Sequence, residues 1–252
     1  MRSIITVKDL VKNYGSFKAV KGISFEVYEG EIFGLLGPNG AGKSTTLEIM
    51  ETLRKKTSGE VIICGMNLDR EPENIKKVIG VQLQTSGYYP GLSLVELIHL
   101  FGGLYNEPVD PAALLQLVNL TDKIKSKYKE LSGGQKQRFS IATTLINKPR
   151  IIFLDEPTTG LDPQARRNLW ELIKNIRSQG TTVIITTHYM DEAEQLCDRI
   201  AILDEGKIIS LDSPDKMIDD LVSSGFERPR QVKAANLEDV FIHLTGKEMR
   251  DD

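Results

Sequence analysis

Residues 31–45 read Glu31-Ile32-Phe33-Gly34-Leu35-Leu36-Gly37-Pro38-Asn39-Gly40-Ala41-Gly42-Lys43-Ser44-Thr45, and this stretch decides the fold. An apolar run of strand length ends at Gly37, a short loop follows, and Lys43 to Thr52 carries helical spacing. Glycines let such a loop turn its backbone N–H groups inward, and the start of the helix adds partial positive charge behind them. That combination cradles phosphate. Lys43 is expected to reach the β and γ phosphates of a nucleoside triphosphate, and Ser44 offers its hydroxyl to Mg2+, an ion that prefers oxygen ligands. At average composition the four fixed positions arise by chance in about 1% of chains this long, so the rest of the chain has to agree.

It does. Short β-rich runs recur at Glu31 to Gly37, Glu60 to Cys64, Lys77 to Leu83, Arg150 to Asp155, Thr181 to Thr186 and Arg199 to Leu203, several apolar on both faces. Strands of that kind lie buried between helix layers, which predicts an α/β fold with a largely parallel sheet. Thr6 to Leu10 and Ile23 to Tyr28 alternate more, around the turn Tyr14-Gly15-Ser16, and predict an antiparallel region at the N-terminus. From Tyr88 to Lys148 the strand pattern gives way to helical spacing at Leu94 to Leu104, Pro111 to Leu120 and Gly133 to Asn147, a helical insertion. One nucleotide-binding cassette is expected over residues 4–231, its helical part at 86–148, followed by a tail at 232–252 with a short amphipathic helix at Leu237 to Leu244.

The run Arg150-Ile151-Ile152-Phe153-Leu154-Asp155-Glu156-Pro157 delivers two carboxylates at the C-terminal end of a strand, where ligands sit in open α/β sheets. Alternation along the strand divides their work. Asp155 is expected to hold Mg2+ through water, while Glu156, pointing elsewhere, polarises the attacking water. A second glycine motif, Leu131-Ser132-Gly133-Gly134-Gln135, opens the helix through Gln137, Arg138, Ile141 and Leu145. A Ser cap with two glycines leaves N–H groups unpaired, so one chain carries two phosphate-binding helix starts.

Bulk properties exclude several classes. The 252 residues carry 32 Lys plus Arg against 35 Asp plus Glu, with the signs interspersed, so no basic footprint for nucleic acid is present. Apolar runs such as Ile151 to Leu154 are far shorter than the roughly 20 residues of a membrane span. No export signal is read at Met1 to Leu10. Cys64 and Cys197 are too few for a disulfide framework or a zinc site and are expected as reduced core residues in a cytosolic protein.

The second glycine motif, followed by Ile151 through Asp162, resembles the ABC transporter ATPase family, and the match extends over nearly the whole chain. The resemblance implies that residues 37–45, with Gly37, Pro38, Asn39, Gly40, Ala41, Gly42, Lys43, Ser44 and Thr45, bind the phosphates of ATP. It implies a head-to-tail dimer, most simply a homodimer, in which Ser132, Gly133, Gly134 and Gln135 of one subunit close on nucleotide held by the other. Tyr14 is similar to the aromatic that stacks on adenine. Gln84 is similar to the glutamine that contacts Mg2+ and the attacking water and couples the site to transmembrane permease subunits; it is preferred to Gln82 because Tyr89, Pro90, Leu92 and Ser93 then keep the family spacing. Gly160-Leu161-Asp162 resembles the loop that communicates across the dimer, and His188 the histidine that contacts the γ-phosphate. His99 and His243 fall in expected helices away from any strand end.

The ending Leu237 to Gly246 is similar to the tail of exporter ATPases of the drug, antibiotic or sodium type, which implies a peripheral subunit on the cytoplasmic face of the membrane. A soluble relative acting on DNA or ribosomes would carry a long coiled coil or a second cassette, and the chain has neither. A small-molecule P-loop kinase would leave the second glycine motif, Asp162 and His188 without a role.

Overall fold

The computed structural model describes residues 2–82 and 87–226. The chain divides into two compact units, Met1–Lys216 and Met217–Asp252, and the site lies in the first. Gln84, His243 and the expected helix at Leu237 to Leu244 lie outside the described residues.

In chain order the elements are β1 (Ser3–Tyr14), β2 (Phe17–Tyr28), β3 (Ile32–Leu36), α1 (Lys43–Met50), β4 (Ser58–Ile63), β5 (Met66–Asn67), α2 (Pro72–Lys76), β6 (Ile79–Gln82), α3 (Leu94–Tyr105), α4 (Pro111–Leu117), α5 (Gly133–Thr144), β7 (Ile151–Asp155), α6 (Pro163–Ser178), β8 (Thr182–Thr187), α7 (Met190–Leu196), β9 (Arg199–Asp204), β10 (Lys207–Asp212) and α8 (Pro214–Ser223). They make two sheets. The larger runs β10-β9-β3-β8-β7-β6, parallel from β9 to β6 with β10 antiparallel on its edge. Residues of β3 and β8 are buried throughout, as strands covered on both faces must be. The smaller sheet runs β2-β1-β4-β5 and is antiparallel.

Three expectations are corrected. The stretch Glu60 to Cys64 belongs to the small antiparallel sheet as β4, paired with β1, and not to the parallel sheet. Its apolar pattern suits either sheet; only pairing decides. The N-terminal strands are 12 residues each, longer than the alternating cores Thr6 to Leu10 and Ile23 to Tyr28 suggested, because register shifts interrupt the alternation without ending the ladder. Cys64 is half-buried rather than a core residue, while Cys197 is buried, and both are free.

Local chemistry sets the helix starts that matter. Ser93 with Glu96 and Ser132 with Gln135 form reciprocal capping boxes on α3 and α5, and Asp162 caps α6 ahead of Pro163. Helix α6 then buries Leu169, Leu172, Ile173 and Ile176, the three-and-four spacing of one helical face.

Just past α1, Glu51 is 3% exposed and its Oε1 has no hydrogen-bond partner. Burial first, then the negative charges of Asp155 and Glu48, raise its pKa from 4.5 to about 8. Between those two values the folded chain keeps a proton that the unfolded chain releases, so stability falls as pH rises through that window and levels off above it. Glu51→Gln, which mimics the protonated acid, is expected to flatten the decline. Melting curves of variant and parent should nearly coincide near pH 5 and separate near pH 8, the variant higher, with roughly 2–4 °C for each kcal/mol in a chain this size. Coincidence at both values would show that Glu51 is not proton-linked.

Candidate functional site

The C-terminal ends of β3, β7 and β8 sit side by side in the large sheet, which brings residues 37–44, 155–156 and 186–188 to one edge. The glycine loop leaves β3 and enters α1 at Gly42, whose φ of +102° and close approach to Ala19 O, 2.7 Å from where a Cβ would stand, admit no side chain. Lys43 is 4% exposed, and its Nζ donates to Gly37 O at 2.8 Å and Pro38 O at 3.1 Å while lying 3.8 Å from Glu156 Oε1. Burial lowers its pKa, and the nearby carboxylates of Glu156 and Asp155 oppose that. The ammonium is thus held inside its own loop by two backbone acceptors.

The two carboxylates diverge as strand alternation requires. Asp155 Oδ1 accepts from Ser44 Oγ at 3.2 Å and from Thr186 Oγ1. Burial raises its pKa, and those two hydroxyl hydrogen bonds act against the rise. Glu156 turns toward His188, with 3.2 Å between Oε1 and Nδ1, and its Oε2 accepts from Thr159 Oγ1 at 3.3 Å. Its backbone is in the left-handed region at φ +46°, held there by N–H donation to Thr186 O and Oγ1. A non-glycine residue is uncommon in that conformation.

A cleft of about 420 Å³ opens over the loop, lined by Tyr14, Phe17, Ala19, Asn39, Gly40, Gly42, Lys43, Ser44, Thr45 and Glu156. Tyr14 is 39% exposed, and the Lys12 ammonium and the Arg54 guanidinium lie 4.9 and 5.3 Å from its ring centre. Pro38, Ala41 and Gly37 belong to the loop but not to the wall of the cleft. A separate cleft of about 260 Å³ is lined by Ser132, Gly133, Gly134, Gln135, Asp162 and their neighbours, and shares no residue with the first. Asp162 and the second glycine motif therefore stand together, apart from Lys43 and Glu156.

Sequence reasoning passed over Thr186. In a buried strand it reads as one more β-branched residue, and only its register opposite Asp155 reveals it as the partner of that carboxylate. Phe17 and Ala19 were missed for the same reason: their place on the cleft wall comes from the β1–β2 hairpin, not from a motif.

The oxygen donors Ser44 and Asp155, adjacent and joined by a hydrogen bond, fit a hard divalent cation. Among the described residues no helix is long and apolar enough to cross a membrane.

Known proteins resemble this chain along most of its length. The family model described as ABC transporter matches residues 20–159. "Nod factor export ATP-binding protein I" of Burkholderia lata is 33% identical, covering 98% of this chain and 98% of that protein. "Linearmycin resistance ATP-binding protein LnrL" of Bacillus subtilis is 41% identical over 82% of this chain and 68% of its own length. Among solved structures, an ATP-binding cassette of an ABC transporter in its ADP conformation superposes with a TM-score of 0.79 at 25% identity, covering 88% of this chain and 96% of the other. A dimeric bacterial ABC transporter cassette gives 0.74 at 30% identity, over 83% and 98% of the two chains.

Proposed function

Since the chain belongs to the ABC transporter family of ATP-binding, ATP-hydrolysing subunits, we propose that it is the motor of an exporter that works through separate transmembrane permease subunits. One observation carries the reading: two phosphate-binding helix starts occupy two clefts with no residue in common. The cleft over Lys43 is lined by Lys43, Ser44 and Glu156, whereas the cleft at Ser132 has hydrogen-bond donors but no lysine among its lining residues. Each is half of a site. A second copy, turned head to tail, places the Ser132–Gln135 donors of one protomer over the phosphates held by the other, so ATP joins the pair and hydrolysis releases it.

The contacts support a role for each residue. Lys43 exchanges its loop carbonyls for phosphate oxygens and neutralises charge that develops during phosphoryl transfer. Ser44 and Asp155 would hold Mg2+, with Gln84 as the further ligand that the sequence nominates, and the ion would offset phosphate charge. Glu156 orients the attacking water, and His188, whose Nδ1 lies 3.2 Å from Glu156 Oε1, reaches the γ-phosphate. Tyr14 stacks on adenine. Asp162 links the two half-sites across the dimer. The cassette spans residues 4–231 with its helical part at 86–148, and the subunit sits on the cytoplasmic face of the membrane.

Export rests on relatives that align over 98% and 82% of the chain and are named for export and resistance respectively. Affinity purification of the tagged chain from detergent-solubilised membranes tests the assignment. A polytopic membrane protein should co-elute in near-stoichiometric amount, and the preparation should hydrolyse ATP. A chain found only in the soluble fraction, with no polytopic partner, would exclude the permease-linked reading.

A further inference from the structure

The first two turns of α6 reach three parts of the site. Asp162 caps the helix, accepting from Ala165 N at 2.8 Å through its carboxylate and from Arg166 N at 2.9 Å through its carbonyl. Ala165 packs against the second glycine motif so closely that a Cβ on Gly134 would lie 3.2 Å from its own. The next residue, Arg166, lays its guanidinium 4.5 Å from the centre of the Tyr189 ring and pairs with Asp191 at 3.2 Å. The Tyr189 ring lies 4.2 Å from that of His188, which faces Glu156. One turn on, Trp170 donates to the fully buried Glu192 at 3.0 Å, so positions i and i+4 of α6 grip α7 at two points.

We propose that Arg166 and Tyr189 are positioning residues for His188. The contacts of the Arg166 guanidinium with the Tyr189 ring, and of that ring with the imidazole tilted 38° to it, set the histidine ring against Glu156 and tie its placement to the turn of α6 that carries Asp162 and touches Gly134. The proposal rests on the reading that Glu156 and His188 act in ATP hydrolysis.

A histidine ring turns in a broad, soft torsional well and needs a packed neighbour to fix its plane. Tyr189 is that neighbour, and its backbone N–H, donating to Thr187 Oγ1 at 3.0 Å, anchors it to the end of β8. Arg166 holds its guanidinium 4.5 Å from the centre of the Tyr189 ring. Its side chain is 21% exposed and its Nε is buried without a hydrogen-bond partner, so the guanidinium is committed to the ring and to Asp191. The Asp191 pair cannot explain the placement by itself, because a carboxylate 59% exposed contributes little to an ion pair. A planar cation over an aromatic face, partly shielded from water, contributes more. Movement of the α6 start, as the Ser132–Gln135 face closes on nucleotide, is thereby passed to the histidine of the chain's own hydrolysis site.

Steady-state ATPase of the full chain, binding of a non-hydrolysable ATP analogue and thermal melting test this together. Arg166→Ala and Tyr189→Ala should each lower kcat by about tenfold, with KM and analogue affinity within about twofold of the parent. Arg166→Lys keeps the charge but loses the planar stack, so it should show the same fall in kcat with an unchanged melting temperature, which separates positioning from folding. Tyr189→Phe keeps the ring and should hold kcat within about twofold. Adding Arg166→Ala to His188→Ala should cost nothing further, since the relay ends at the missing ring. Full kcat in both Arg166 variants, or an undiminished loss from Arg166→Ala in the His188→Ala background, overturns the proposal. If Glu156→Gln and His188→Ala themselves leave turnover intact, the underlying assignment of the site has failed instead.

Discussion

Glu156→Gln is expected to lower ATP turnover by about 10²–10⁴-fold while leaving ATP binding in place. The amide keeps the side-chain volume and a carbonyl oxygen that still faces His188, so the local packing survives. What disappears is the negative charge that polarises the water. Because Glu156 touches neither Ser44 nor the glycine loop backbone, and meets Lys43 only at 3.8 Å, nucleotide affinity should change little. With binding intact and release blocked, ATP should hold two copies together. Single-turnover ATPase and size-exclusion chromatography with and without ATP measure both effects. Hydrolysis at the parental rate would remove Glu156 from its role as the group that orients water.

Lys43→Ala is expected to fail earlier in the cycle, weakening ATP binding by about a hundredfold or more, since charge-assisted contacts to phosphate are among the stronger ones a site can make. The side chain is almost fully buried inside the loop and bonds two of its carbonyls, so no neighbouring cation replaces it. Alanine also leaves Gly37 O and Pro38 O without that donor, and the loop loses the strut that holds it open. Titration with a fluorescent ATP analogue separates the two variants: Lys43→Ala should not saturate at concentrations that saturate Glu156→Gln. Equal affinities would mean that the loop binds phosphate through its backbone alone.

Residues joined by short-range interactions were readable before any coordinates. The glycine loop is a strand end, a turn and a helix start within fifteen consecutive residues, so its chemistry follows from residue type and spacing. The caps at Ser132 and Asp162 are equally local. Other elements were readable in principle yet missed. Strand β10 follows Glu205 and Gly206, both at positive φ, a two-residue turn of the kind that joins hairpin strands, but Glu in the first place hid it because Asn or Asp is the usual sign. Strand β4 was seen and put in the wrong sheet, since a run apolar on both faces does not name its neighbours.

The sequence by itself therefore determined that a strand, a nucleotide-binding glycine loop and a helix follow one another, that two carboxylates close another strand and that a second glycine motif opens a capped helix. Only the tertiary structure decided that Thr186 bonds Asp155, that Glu156 meets His188, that the two glycine motifs open into separate clefts and that Arg166 stacks on Tyr189. The physical reason is range. Hydrogen bonds and backbone angles within a turn depend on the few residues that make it, whereas side chains tens of residues apart meet only when strand register and helix packing, set by burial across the whole sheet, bring them to the same edge.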